Sequence, residues 1–554
     1  MKGVFLFLFL LTACFSHAQR ITKDIPFSFL ENKKNEIKSL RIKPLDLKKI
    51  QKEDSIEYQK YQQFNVGRLQ KVDVNFEGLQ GKEKNLLFWK YRFDLDNAKN
   101  IAIRFKNLRL PKGTKLYIYS QNQKTDFLVY SADMDDINQE RFISRSIKGQ
   151  SIIIEYNQES FVKALPTIEI DGFVNYYISE NRKNPGFGQS TDCEVNVACE
   201  EADGWCNEIE SVLRILIQSG THYSYCSGAV VNNTRQDFTP YVLTAGHCGE
   251  ASREDDFNYW KFDFDYQSET CQTPSSELEI DSKYINGCEM IAKAERRGSL
   301  GSDFRLLRLL DSIPKTWNIY YAGWDVEDKP SITGGGVGIH HPYGDIKKIS
   351  TYSGKLESSD ASGGQSNDLF WRTYWDATEN GHGITEGGSS GSPLFNNRGL
   401  IIGTLATGLS YCDNQNESSP DFYGKMCKHW DANGVDSTVQ LKYWLDPLHL
   451  NVDQWGGISG NISLECGQKI SFDNFVLFPN PASTVLYIGN SDSESLQNAI
   501  VRIYNSSGML VKSGKTNTTL DIQKVDICGL LEGVYIIEVQ KEDWMIQKKF
   551  VILR

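Results

Sequence analysis

A histidine, an aspartate and a serine follow one another along this chain, each inside a short string of small residues. His247 lies in Thr244-Ala245-Gly246-His247-Cys248, Asp303 in Ser302-Asp303-Phe304, and Ser390 in Gly387-Gly388-Ser389-Ser390-Gly391-Ser392-Pro393. These residue types suit nucleophilic acyl transfer. A hydroxyl attacks, an imidazole takes its proton, and a buried carboxylate fixes the imidazole's tautomer. Each string alone is weak: a histidine beside a cysteine is often structural, and an aspartate ahead of a strand is often a turn residue. The Gly-Ser run differs from a linker because strand character resumes at once in Pro393-Leu394-Phe395 and Leu400-Ile401-Ile402-Gly403. Gly387, Gly388 and Gly391 permit backbone geometries that other residues resist. Such a turn lets the amides of Gly388 and Ser390 converge as an oxyanion hole, where each donor contributes about 3 kcal/mol in the transition state.

The elements that must position these groups are strands. His247 follows the β-run Tyr241-Val242-Leu243, and Asp303 precedes Phe304 to Leu309. From residue 193 to about 465, strands and Gly-rich turns alternate, and Val439 to Leu445 reads as a helix stopped by Pro447. Residues 19–65 read as a loosely structured or helical lead-in. From about 70 to 178, short alternating runs such as Ile101-Ala102-Ile103-Arg104-Phe105 and Leu116-Tyr117-Ile118-Tyr119 predict an antiparallel β-sandwich without a catalytic constellation. The polar stretch 179–187, with Arg182-Lys183 and Pro185-Gly186, has the composition of a linker open to cleavage. The tail reads as a small all-β module.

The ordered set matches the His…Asp…Ser order of chymotrypsin-like serine proteases. Residues 193 to 455 resemble the lysyl endopeptidases of that fold. The resemblance rests on Thr385 to Leu394, Val231-Asn232-Asn233-Thr234, Ala322-Gly323-Trp324-Asp325, Ile339-His340-His341-Pro342 and Trp444-Leu445-Asp446-Pro447. Leu108-Arg109-Leu110-Pro111-Lys112-Gly113, with the tyrosine-rich run after it, resembles the propeptides of those enzymes. The resemblance implies a double β-barrel, a triad of His247, Asp303 and Ser390, and Asp421 at the floor of the S1 pocket, where it meets the substrate's lysine. It also implies the bridges Cys193–Cys412, Cys199–Cys271 and Cys226–Cys248. The pairings Cys206–Cys288 and Cys427–Cys466 are a guess for the four extra cysteines. At Ala406 the chain departs from the family, whose best-known members have a histidine stacked on a tryptophan. Cleavage after arginine, or after both basic residues, is therefore carried as an alternative. A Glu-specific pocket is opposed by Asp421. A non-catalytic adhesin of the same fold is the alternative from another class. Ser389 stands where trypsin-like zymogens keep an aspartate for the new amino terminus, so activation by an inserted amine is not expected. Inhibition by 19–187 covering the cleft, relieved by self-cleavage near Arg182-Lys183, is expected instead. His340 and His341 are adjacent and so face opposite ways on a strand, which disfavours joint chelation. No metal or other cofactor is expected.

The tail strings Phe478-Pro479-Asn480-Pro481-Ala482-Ser483, Val501 to Gly508 and Gly533 to Val539 resemble the C-terminal sorting domain of the type IX secretion system. That implies passage through the secretion machinery to the outside or the cell surface. The N-terminus agrees: Lys2, the apolar run Val4 to Leu11 and Ser16-His17-Ala18 form an export signal. Leu11-Thr12-Ala13-Cys14 also resembles a lipobox. Ten cysteines fall between 193 and 466 and none between 19 and 192, as expected of a disulfide-stapled exported domain. Zinc is disfavoured because no Cys-x2-Cys pair occurs. A net charge of −11 argues against nucleic acid as a partner. The expected organisation is all-β: signal peptide 1–18, propeptide with β-sandwich 19–187, protease domain 188–465 and sorting domain 474–554.

Overall fold

A computed structural model describes residues 25–553 with internal gaps, the longest being 31–36, 133–139, 178–185, 413–418, 460–474 and 491–499. The export signal, Cys14 and Arg182-Lys183 lie outside the described residues.

The first unit is a β-sandwich with one helix, Leu47–Tyr61. One sheet is built around Leu86–Leu95, Ser151–Glu159 and Thr114–Ser120. The other contains Asn65–Asn75, Thr167–Tyr177 and Ala98–Arg109. Period-2 alternation places Leu116 and Ile118 in the core between the sheets, with Phe93, Ile103, Phe105 and Phe173. Tyr117 and Tyr119 face the other way into a separate cluster.

The second unit has two barrel-like sheets. Val212–Ser219, His222–Val230, Tyr241–Thr244, Phe304–Leu309 and Cys288–Ala294 pair in that order in the first. Gly336–His340, Pro393–Asn396, Leu400–Gly408, Asp421–Lys425 and Phe370–Thr373 pair in the second. A shared core containing Trp324, Trp430, Leu441 and Leu445 lies between them. The stretch expected as one helix at 439–445 is a 3-10 turn, Ser437–Val439, and a short helix, Lys442–Leu445, because Gln440 is extended.

The sandwich and the first barrel share a sheet. Asn65–Asn75 pairs antiparallel with His222–Val230 in the register His222↔Arg68 and Tyr223↔Gly67, and the Leu69 amide donates to the Thr221 carbonyl at 2.8 Å. This explains why every residue of Val212–Ser219 is buried. Leu213, Ile215 and Ile217 fill the barrel. On the outer face, Leu216 and Tyr223 pack with Val66, Leu69 and Val174 of the sandwich.

Disulfides join Cys193 to Cys412, Cys199 to Cys271 and Cys226 to Cys248. Cys288 and Cys427 are free thiols, so the guessed pairings Cys206–Cys288 and Cys427–Cys466 are wrong. Cys288 sits inside the first barrel against Phe257 and Leu309, where a thiol packs as a small apolar group. The Cys226–Cys248 bridge closes a 22-residue separation. Replacing both cysteines by alanine is expected to cost about 3 kcal/mol and to lower the urea midpoint of the enzyme domain. An unchanged midpoint contradicts that expectation.

The tail pairs Val485–Asn490 with Phe475–Phe478 and Ile522–Asp526, and Ile500–Asn505 with Leu510–Lys515 and Gly533–Lys541. Leu486, Ile503, Ile537 and Phe550 make its core. No helix among the described residues is long and apolar enough to cross a membrane.

Candidate active site

Asp303 takes a positive φ of 63° at the entrance of its strand, and its carboxylate is fully buried. Oδ2 lies 2.8 Å from His247 Nδ1, while Oδ1 accepts the His247 backbone amide at 2.9 Å. One carboxylate therefore fixes both the ring and the main chain of the histidine. Arg305, buried beneath this loop, donates to the carbonyls of Gly246 and Gly249 at 3.1 and 3.3 Å. Burial pushes its guanidinium down to about 10. Behind Asp303, His429 Nδ1 bonds Ser302 Oγ at 2.8 Å and its Nε2 bonds Thr404 Oγ1 at 3.0 Å. Burial pushes His429 down to about 3, so it is a neutral strut near neutral pH. Arg305, Thr404 and His429 carry no motif, and nothing in their spacing singles them out.

The Ser390 turn lies against the His247 segment. The Ser227 amide donates to the Ser390 carbonyl at 2.8 Å, and Cys248 Sγ is 3.6 Å from the same oxygen. Gly391 has φ +80°, and a Cβ on it would come within 2.6 Å of the Ala245 amide nitrogen. Glycine is thus required for this approach. Ser390 is half-buried, and among the described residues its hydroxyl makes no hydrogen bond with His247. Such bonds are often long before substrate binds. Gly388 has φ +99°. Among the described residues the amides of Gly388 and Ser390 donate to no acceptor, which leaves both available to an incoming oxygen.

Ser389 Oγ bonds His340 Nδ1 at 2.8 Å and accepts from the Glu386 amide at 3.1 Å. His340 Nε2 faces Ser350 Oγ at 3.1 Å, whereas His341 Nδ1 faces the Asp345 carbonyl at 2.9 Å. The two rings are buried in different surroundings, and burial lowers the pKa of both.

Asp421 is buried in the second barrel. Its Oδ2 accepts from Trp375 Nε1 at 2.6 Å, Thr385 Oγ1 at 2.7 Å and Ser410 Oγ at 2.8 Å. Oδ1 accepts the amides of Leu409 and Ser410 at 2.9 and 3.1 Å. Burial lifts the carboxyl above its usual range, with the hydrogen bonds opposing that shift. Thr385 and Ser410 carry no motif of their own; their only sequence signal is a place near the Ser390 turn and near Asp421. Ala406 packs with Leu369, Phe370 and Phe422.

The sandwich reaches this region. The Phe64 ring meets Tyr343 edge-on at 5.5 Å and lies 3.4 Å from the Cβ position of Gly387. Further along the seam, Arg68 NH2 pairs with Asp54 at 2.5 Å, and His222 Nε2 lies 3.2 Å from Glu57.

Comparison with known proteins places two regions. Residues 187–424 match the family model of the lysyl endopeptidase C-terminal domain, and residues 476–553 match that of the secretion system C-terminal sorting domain. Among solved structures, a thermostable serine protease, AL20, from an extremophilic microorganism is similar at 17% identity and TM-score 0.27, covering 40% of this chain and 92% of that one. GrC is similar at 14% identity and TM-score 0.26, covering 39% and 88%. A Glu endopeptidase in complex with MPD is similar at 17% identity and TM-score 0.26, covering 43% and 92%. The chain is therefore an exported serine endopeptidase, carrying a domain of the lysyl endopeptidase type ahead of a secretion sorting domain.

Proposed function

We propose that this chain is the precursor of an endopeptidase that hydrolyses peptide bonds after lysine through His247, Asp303 and Ser390. The observation that carries the reading is the 2.8 Å contact of the buried Asp303 carboxylate with His247 Nδ1, beside a glycine-bearing serine turn. Asp303 holds the proton on Nδ1, which leaves Nε2 as the base. Nε2 takes the Ser390 proton as Oγ attacks the scissile carbonyl. The carbonyl oxygen becomes an oxyanion that the amides of Gly388 and Ser390 stabilise. His247 then gives its proton to the leaving amine, and water, activated by the same nitrogen, releases the acyl group from Ser390.

The lysine reading rests on Asp421. Its two oxygens already accept five neutral donors. A bidentate guanidinium would have to displace donors from both oxygens, whereas a point-like ammonium displaces or shares only a hydroxyl. The Ser410 hydroxyl, on a half-buried residue, is the one best placed to turn aside. Arginine remains the second reading, since the small Ala406 supplies no side chain that would exclude the longer group. The reading assigns 1–18 to the export signal, 19–187 to a pro-region, 188–465 to the enzyme and 474–554 to sorting. The pro-region masks the enzyme through the shared strand and Phe64.

Digestion of a peptide library by the processed protein is expected to give cuts after lysine, with few after arginine. Asp421→Asn is expected to lower kcat/KM on lysyl substrates by about 10³-fold, the cost of leaving a buried charge unpaired, while changing small apolar substrates little. Cuts after glutamate or without residue preference overturn the lysine reading.

A further inference from the structure

We propose that the mature enzyme begins at Gly188 and that the Asp345 carboxylate is the binding site of its α-ammonium group. This rests on the serine endopeptidase reading above and adds a device that organises its oxyanion turn.

Asp345 is 1% exposed. Its Oδ1 accepts the Gly188 amide at 2.6 Å and the Ile346 amide at 2.7 Å. Its Oδ2 accepts the Ser190 amide at 3.0 Å and the Ser190 hydroxyl at 2.7 Å. All four donors are neutral. Among the described residues no Lys, Arg or His nitrogen lies within 4.0 Å of this carboxylate: Lys348 Nζ goes to Asn196 Oδ1 and Arg214 pairs with Asp263. Lys348 acts on this carboxylate through space but makes no direct bond to it. One of its ligands, however, is the backbone nitrogen of a residue on the boundary of the two units.

The chain around that nitrogen is a glycine-flanked turn. Gly186 and Gly188 have φ of +121° and +68°, so Phe187 sits in a turn, and Gly188 is exposed. Water hydrolyses the Phe187–Gly188 bond: Phe187 keeps the new carboxylate, and the Gly188 nitrogen takes up a proton to become an ammonium. That nitrogen is already at hydrogen-bond distance from Asp345 Oδ1. Cleavage thus places a cation in direct contact with the carboxylate without moving the chain, and the contact becomes a charge-assisted bond. The lysine-directed site does not fit Phe187, so a second peptidase makes or completes this cut, for instance by removing residues 184–187 after hydrolysis at Lys183.

Asp345 also ends the segment that supports the oxyanion turn. The Tyr343 amide donates to the Gly387 carbonyl at 2.6 Å. The His341 carbonyl oxygen and the Gly344 amide nitrogen lie 2.9 and 3.0 Å from the Cβ position of Gly388. Anchoring Asp345 therefore stiffens the backbone on which Gly388 rests. The acid lies on a neighbouring turn rather than beside the nucleophile, where this chain has Ser389. Asp345 is a positioning residue in this account.

The test is N-terminal sequencing of the processed enzyme together with kinetics of Asp345→Asn. The expected first residue is Gly188. The variant processed to the same residue is expected to lose roughly 10²-fold in kcat, the scale of one oxyanion donor, with KM nearly unchanged. The same substitution in the uncut Ser390→Ala precursor should lower thermal stability less than in the processed enzyme, because only bonds from neutral donors are lost there. If Asp345→Asn does not fold, selective acetylation of the wild-type α-amine is expected to give the same loss in kcat. A first residue other than Gly188, wild-type kcat in the processed variant, or full activity after acetylation each overturns the proposal. Fluorophosphonate titration of wild-type protein keeps the two readings apart. Labelled enzyme with a different terminus refutes only the Asp345 site, whereas unlabelled processed enzyme refutes the catalytic reading itself.

Discussion

Ser390→Ala is expected to lower kcat on a lysyl anilide by about 10⁶-fold, and adding His247→Ala should lower it no further. The two side chains act in one step, so removing either removes that step. The activity that survives comes from the oxyanion amides and from substrate binding, which neither substitution touches. Because Ser390 is half-buried on a turn fixed by backbone bonds from Ser227 and Leu405, the loss of its hydroxyl leaves the fold intact. Kinetics of the two single variants and the double variant, with circular dichroism as a control, check this. A double variant much slower than either single one would mean that the residues act separately. Retention of more than a few per cent of activity in Ser390→Ala would remove the serine from the mechanism.

The second large effect is expected at Asp303. Asp303→Asn should lower kcat by about 10⁴-fold at neutral pH while binding of substrate changes little. Both carboxylate oxygens face His247, one toward the ring and one toward the backbone amide. An asparagine satisfies the amide with its carbonyl and then turns its NH2 group toward Nδ1. The ring answers by carrying its proton on Nε2, and a protonated Nε2 cannot accept the serine proton. Asp303→Ala instead leaves the buried His247 without its orienting partner and is expected to cost stability as well. Steady-state kinetics beside thermal melts separate the two variants. Equal kcat values for Asp303→Asn and wild type would contradict the assigned tautomer.

Much of the geometry of the candidate site was legible because it demands rare local patterns. A serine turn that must approach Ala245 requires glycine at 391, and a positive φ at 388 favours it there; both appear as letters in the chain. The alternation of Leu116 to Tyr119 was readable for the same reason, since a pleated strand sends neighbours to opposite faces. The supporting groups were not readable. Arg305, His429, Thr385 and Ser410 act through burial and through partners far away in sequence, and no spacing rule links 303 to 429 or 385 to 421. The strand Asn65–Asn75 begins ahead of the sandwich expected from about residue 70. Its pairing with His222–Val230 depends on tertiary docking, and that docking also explains why the outer face of Val212–Ser219 is buried. The guessed cysteine pairs failed because pairing follows Cα geometry, which order along the chain does not encode.

The pro-region account follows from the same docking. Arg104 pairs with Asp171 within the sandwich, and its other nitrogen reaches Gln218 of the enzyme at 3.3 Å, while its guanidinium lies over the Tyr259 ring. The seam therefore mixes a backbone ladder with apolar and charged contacts, and in the proposed maturation all of them part or are cut away before Phe64 leaves the Ser390 turn.

The central claim is that Ser390 is the attacking nucleophile, and a fluorophosphonate tests it most directly. Reaction of processed protein with such a probe, followed by peptide mass mapping, is predicted to give one adduct per molecule, carried by Ser390, with none in His247→Ala. An adduct on Ser389 or Ser392 instead, or no adduct in folded and processed protein, would contradict the account.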